Sequence, residues 1–139
     1  MMMTATILAR QADVSLYTVR HYTRIGLLKP MRNSQNNYKL YRPSDSMLVR
    51  FIKTAGSLGF SLCEVADILE EAKHGNSPCP MVREIIVRRI EENGRKITDM
   101  QKLQRKMGNT LKDWSKMKDS MPTGDSVCHL IESVGAIAK

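Results

Sequence analysis

The chain has 139 residues, a formal net charge of +8 and three cysteines. That length is one domain's worth, or one small domain with an appendage, and its core is of limited size. No apolar run approaches the ~18 residues of a membrane span, and an odd number of widely spaced thiols is not a disulfide framework. The opening MMMTATILARQ lacks a charged region followed by an apolar stretch, so no secretory signal is expected and a reducing cytoplasm is.

Where the charge lies says more than its sum. Residues 1–53 hold nine Lys and Arg (Arg10, Arg20, Arg24, Lys29, Arg32, Lys39, Arg42, Arg50 and Lys53) against Asp13 and Asp45, and the other 86 residues hold thirteen against twelve. An electropositive first third points to a polyanionic partner, most simply nucleic acid.

TATILARQADVSLYTVRHYTRIGLL reads as two short helices around a tight turn. Ile7, Leu8 and Ala12 form an apolar face, Asp13 and Val14 make the turn, Ser15 is placed to cap the second helix, and Gly26 ends it. This is helix-turn-helix spacing. The second helix presents Tyr17, Thr18, Arg20, His21 and Arg24, a face suited to phosphates and base edges. Next, LLKPMRNSQNNYKLYR reads as a two-stranded wing turning at Asn36-Asn37 and carrying Arg32, Lys39 and Arg42.

SDSMLVRFIKTAGSLGF predicts a third helix capped by Ser44, with Leu48, Phe51, Ile52, Ala55 and Leu58 at helical spacing and Gly59 as its stop. SLCEVADILEEAKHG opens with Ser61 and Glu64 in capping-box register and buries Val65, Ile68 and Leu69. Cys63, in its first turn, is expected to pack. From Pro80 the pattern changes. Ile86, Ile90, Asn93, Ile97, Met100, Gln104, Met107, Leu111 and Trp114 advance in alternating steps of four and three. That is a heptad seam, and so long a helix has too little chain left to cover it, which predicts pairing with a second copy.

In this order, VSLYTVRHYTRIGLL, the wing ending NNYKLYR, LVRFIKTAGSLGFSLCEVADIL and the long helix resemble the MerR family of bacterial transcription regulators over nearly the whole chain. The resemblance implies a mainly α fold. Residues 1–75 form a winged helix-turn-helix DNA-binding domain, 76–118 a dimerisation helix in an antiparallel coiled coil, and 119–139 a C-terminal effector-binding loop and tail. It implies a homodimer that binds double-stranded promoter DNA, whose two elements are badly phased, and distorts it on effector binding so that RNA polymerase can use it. By position, Thr18, Arg20, Tyr22, Lys39, Tyr41 and Arg42 match the family's DNA-contacting segments. With Ser15, Tyr17, His21, Arg24 and Arg32 they make up the expected DNA-binding set.

The resemblance also bears on the thiols. The long helix, roughly 55 Å at ~1.5 Å per residue, separates Cys79 from Cys128 within one chain. An antiparallel partner brings Cys79 of one protomer to Cys128 of the other. The family's metal sensors carry cysteines at these two places, in segments similar to NSPCPMV and VCHLIES. This implies a soft or borderline metal ion (Hg, Cd, Pb or Zn, with Cu as a further candidate) held by Cys79 and Cys128. His129 ranks first for a third donor, ahead of Asp125, Met117, Met121 and His74. The chain departs from the pattern in having Trp114 where those sensors usually have another cysteine. Alternatives are a regulator that senses oxidants or an organic ligand through its cysteines, and an effector-free architectural DNA binder. No CxxC, phosphate-cradling glycine loop or nucleophile-base pair supports an enzyme.

Overall fold

The computed structural model describes residues 1–137, so the last two residues of the predicted tail lie outside the described residues. The fold is mainly helical: α1 (Ala5–Ala12), α2 (Leu16–Arg24), β1 (Met31–Arg32), β2 (Lys39–Leu40), α3 (Ser44–Ser57), α4 (Leu62–Lys73), α5 (Cys79–Trp114) and α6 (His129–Ile137). It separates into two compact units, Met1–Val87 and the residues from Arg88 onward. No helix among the described residues is long and apolar enough to cross a membrane.

The first unit starts with the predicted helix pair. Asp13 ends α1 in the left-handed region at φ 56°, a conformation Asp tolerates better than most residues. Ser15 caps α2 by accepting the Thr18 N–H at 3.0 Å, and Gly26, at φ 87°, closes it. Two of the nine cations of the basic segment brace the turn from α3. Arg50 donates to the Gln11 carbonyl at 3.0 Å and Lys53 to the Asp13 carbonyl at 2.9 Å, so both serve the carbonyls left over at a helix C-terminus.

In the wing, Met31 pairs with Leu40 and Arg32 with Lys39. The connection is longer than a two-residue turn. Asn33 and Asn36 side chains accept the Gln35 and Tyr38 N–H groups at 2.9 and 3.0 Å, and Asn37 takes φ 61°. Past β2, Tyr41 exchanges backbone hydrogen bonds with Met3, tying the wing to the chain's start.

Two apolar clusters hold this unit. One gathers Leu8, Ala9, Ala12, Val19, Leu28, Tyr41 and Val49; the other gathers Ile52, Ala55, Phe60, Val65, Ile68 and Ile85. Tyr22 and Leu48 pack against both and join them. The Ser61–Glu64 capping box forms as expected, at 3.1 and 2.8 Å.

Several expectations need correction. Ser44 is the first residue of α3 and makes no capping bond; the Asp45 carboxylate instead accepts the Arg42 N–H at 2.9 Å. The buried stripe of α3 is Ser46, Val49, Ile52 and Ala55, which turns Phe51 and Leu58 outward. Ile7 is likewise exposed, because Leu8, Ala9 and Ala12 take the inner face of α1. Cys63 is exposed rather than packed.

Helix α5 has 36 residues, a length of roughly 54 Å at ~1.5 Å per residue. Its first turns belong to the first unit. Met81, Val82, Ile85 and Ile86 pack on the second cluster, Ile86 staying half-exposed. Further along, Ile90, Ile97, Met100, Met107 and Leu111 are 58–66 % exposed, with Leu103 beside them at 48 %.

Tyr41 is 1 % exposed, and its hydroxyl lies 2.7 Å from Thr23 Oγ1. Thr23 spends its only hydrogen on the Val19 carbonyl at 2.8 Å, so Tyr41 is the donor of the pair. Tyr41→Phe leaves the Thr23 oxygen without its donor in a half-buried place. We expect a loss of about 1 kcal/mol in chemical denaturation, with the far-ultraviolet circular dichroism unchanged.

Candidate nucleic-acid interface and effector loop

The exposed face of α2 and the wing bound an open cleft of about 740 Å³. Arg20 and Arg24 reach it from α2, Arg32 and Lys39 from the wing, with Tyr38 on its rim and Tyr41 in its floor. Among the described residues none of these four cations has a carboxylate partner. A concave wall of unpaired cations concentrates positive potential where an anionic backbone can enter. Arg24 spends one donor on His21 Nδ1 at 3.0 Å, and the His21 ring stacks on Tyr17. Tyr17 is 70 % exposed, the most open side chain of the helix's apolar and aromatic residues.

The expected DNA-binding set is thus only partly brought together. Arg20, Arg24, Arg32 and Lys39 share the cleft, while Tyr17 and His21 continue the same face of α2. Arg42 does not join them; it lines a separate groove with Lys29 and Lys73. Ser15 and Thr18 pair their hydroxyls at 2.9 Å and are engaged in capping. Tyr41 is a correction: its ring is core, because the β-bridge to Met3 turns it inward. Tyr22 sits half-buried between the two clusters, and burial pushes its phenol above the ordinary value, so it stays a neutral hydroxyl. Tyr38, a wing tyrosine beside basic residues that stands outside the expected set, also lines the cleft.

The second unit carries the other candidate site. Helix α5 stops at Trp114, short of the predicted 118, where a turn follows. The Trp114 indole N–H donates to the Leu130 carbonyl at 2.9 Å, pinning the start of α6 to the end of α5. Trp114 therefore anchors its own loop. The Glu132 carboxylate organises the loop's last residues. It accepts the Ser126 hydroxyl at 2.5 Å and the Val127 N–H at 2.9 Å, and the Cys128 N–H also acts on it. These bonds, the Ser126 hydroxyl foremost, hold the Glu132 carboxyl below its ordinary value. For Trp114 the sequence left core and loop anchor both open, while Glu132 carried no signal for its role, since it acts across a loop.

Between these two anchors stand Cys128, a free and half-buried thiol, and His129. His129 Nε2 is shielded from solvent and has no hydrogen-bond partner. An orphaned imidazole nitrogen in the residue next to a free cysteine in sequence suits a soft or borderline metal ion. Cys79 is exposed at the first position of α5, its N–H bonded to Ser77 Oγ at 3.3 Å. Among the described residues no three Cys, His, Asp or Glu side chains of one chain gather into a metal-binding group. Cys128 and His129 make at most part of a site within a single copy.

Comparison with known proteins bears on the family of the chain. Residues 3–72 match the model of the MerR HTH family regulatory protein, and residues 48–109 that of the MerR DNA-binding region. The chain is 30 % identical over 127 residues to an HTH-type transcriptional regulator of Synechocystis, spanning 91 % of this chain and 82 % of that one. It is 26 % identical over 129 residues to the mercuric resistance operon regulatory protein of Bacillus cereus, spanning 91 % and 92 %. Its fold resembles that of a Ralstonia metallidurans transcription regulator solved in complex with lead(II), with a TM-score of 0.73 at 22 % identity over 96 % of this chain and 99 % of that one.

Glu132→Gln keeps one acceptor oxygen and loses the charge. We expect faster amide hydrogen exchange at Val127 and Cys128 and none of that change in α5. Acid acts the same way. Because the folded carboxyl is lowered, its ordering of the loop is complete above the ordinary value of 4.5 and is lost as pH falls through the lower folded value. In Glu132→Gln this step should vanish.

Proposed function

The chain belongs to the MerR family of helix-turn-helix regulatory proteins, and on that premise we propose that it is a metal-responsive activator and repressor of a promoter in the bacterial cytoplasm. It is a transcription regulator with a DNA-binding region, not an enzyme. In the proposed state two copies pair their α5 helices in antiparallel fashion. Cys79 of one protomer and Cys128 with His129 of its partner then form each effector site, one at either end of the coiled coil.

The observation that carries the metal reading is His129 Nε2, shielded and without a partner, in the residue next to a free cysteine in sequence. Leaving such a group unpaired costs about 1–3 kcal/mol, a cost that a bound ion removes. Relatives named for mercuric resistance and heavy-metal response support the same class of effector. Cys79 and Cys128 supply the thiolates; Hg²⁺, Cd²⁺, Pb²⁺ and Zn²⁺ suit such donors, as does Cu⁺. A bound ion contributes positive charge shared by two protomers.

The regulatory step is one of differential affinity. An effector shifts the dimer only as far as it binds one DNA-bound conformation better than another. On this reading the cleft cations grip the promoter backbone while the effector-loaded dimer bends and untwists the DNA between its two halves. Deformation then brings the promoter elements into a phase that RNA polymerase can use.

The dimer has its own test. Ile97→Asp places a charge in the exposed stripe of α5. Analytical ultracentrifugation should show a dimer for the parent chain and a shift toward monomer of at least tenfold in dissociation constant for the variant. A parent chain that sediments as a monomer would sink the shared-site reading.

The effector is tested by anaerobic titration of the reduced protein with Hg²⁺, Cd²⁺, Pb²⁺, Zn²⁺ and Cu⁺. Thiolate-to-metal absorbance and metal competition report binding. We expect about one ion per protomer in the parent chain, loss of tight binding in both Cys79→Ser and Cys128→Ser, and weakening of about 10–100-fold in His129→Ala. Binding that both cysteine variants retain overturns the site. No tight binding at all turns the search to oxidants or organic ligands.

A further inference from the structure

We propose that His21 is a specificity-determining residue of the DNA interface, with its imidazole set in advance as a fixed Nε2–H donor that reads a purine N7 in the major groove. The proposal rests on the reading of α2 as the DNA-facing helix.

Tyr17, His21 and Arg24 stand at i, i+4 and i+7 and share one face of α2. On one side Tyr17 stacks on the imidazole, with ring centroids 6.1 Å apart and planes inclined by 10°. On the other side Arg24 Nη2 lies 3.0 Å from His21 Nδ1. Tyr22 flanks the ring at 6.2 Å and 43°. A guanidinium can only donate. Nδ1 must therefore accept through its lone pair, and the ring proton sits on Nε2. The stack sets the plane of the ring, and the Arg24 bond sets its tautomer.

Among the described residues no hydrogen bond engages Nε2. A free imidazole divides itself between two tautomers and several rotamers. Here both are chosen before any ligand arrives, which removes part of the ordering cost of binding. The result is a single N–H donor at a fixed place on a face whose outer members, Tyr17 and Arg24, are exposed.

The chemistry of the major groove decides what one donor can read. Purines present N7 as an acceptor, guanine adds O6, and cytosine presents a donor in the corresponding position. A fixed N–H therefore prefers guanine, accepts adenine and rejects cytosine. Arg24 becomes a positioning residue for His21 and keeps its other donors for phosphate.

The test uses the full chain and a library of random DNA duplexes, with selection and sequencing for the parent, His21→Phe, His21→Gln and Arg24→Met. The phenyl ring preserves the stack on Tyr17 and removes both nitrogens. The glutamine amide restores an acceptor for Arg24 and a donor for the base. We expect the parent to enrich a site with a guanine-preferring position in each half. His21→Phe should lose about tenfold of that preference while keeping the rest of the site, and His21→Gln should restore most of it. Arg24→Met should weaken the same position and also lower affinity for every sequence.

A second arm replaces that purine by its 7-deaza analogue. The parent should lose about as much affinity as His21→Phe does, and His21→Phe should not respond. Unchanged base preferences in His21→Phe, or a parent indifferent to the 7-deaza base, overturn the role of His21 and leave the DNA-binding reading standing. A parent that enriches no sequence takes down both. The 7-deaza measurement on the parent remains decisive even where a variant folds poorly.

Discussion

Helix α5 projects Ile90, Ile97, Met100, Met107 and Leu111 into solvent along one line, with Leu103 beside it, and the described residues of its own chain leave these side chains uncovered. Burying an aliphatic side chain of this size is worth about 1.5–3 kcal/mol. Six of them left in water make a patch that a stable soluble protein covers with something. The 3-4 spacing that produces the line is the spacing of a helix partner, and the polar Asn93 and Gln104 within it suit the fixing of register more than the gain of stability. The proposed effector site depends on this constraint, because among the described residues no three Cys, His, Asp or Glu side chains of one chain gather into a metal-binding group.

The first unit solves a different problem, that of keeping cations unpaired. Nine Lys and Arg in 53 residues repel one another, and among the described residues no carboxylate forms an ion pair with them. It spends Arg50 and Lys53 on helix-end carbonyls, which fastens α3 to the turn between α1 and α2. It leaves Arg20, Arg24, Arg32 and Lys39 around one cleft. The asparagine-built loop and the Tyr41–Met3 bridge hold the wing that carries two of them. Cations that brace the fold and cations that line the cleft are thus separated by position, although composition counts them alike.

Local signals were legible because local chemistry decides them. Ser15, Ser61 with Glu64, Gly26 and the left-handed Asp13 each answer to the needs of a single helix end, and each stands where spacing alone put it. What was not legible depends on groups distant in the chain. Tyr41 looks like a wing residue beside lysine and arginine, but a bridge to Met3 and a hydroxyl on Thr23 turn it into core. Ile86 fits the heptad pattern and still packs inward, since the first turns of α5 finish the second cluster. Trp114 fits the same pattern, and the choice its spacing left open between core and loop anchor is made by the Leu130 carbonyl. A heptad register records which face is apolar and is silent on which neighbour arrives first.

The loop that follows Trp114 shows why that last choice matters. A thiol and an imidazole on a free C-terminal tail would lose much of any binding energy to ordering. Trp114 fixes the start of α6 to the end of α5, and Glu132 folds Ser126 to Cys128 onto the same turn. Cys128 and His129 are therefore placed before a ligand is present, at the end of a helix whose length is rigid. On the proposed reading, an ion joining them to Cys79 of the other protomer acts between two preformed halves. Its binding energy then goes into the relative setting of the halves rather than into folding a loop. A dimer gripping two DNA segments converts a change in that setting into bending and untwisting. On that reading, the Trp114 anchor gives Cys128 and His129 a stiffer support than a free loop would.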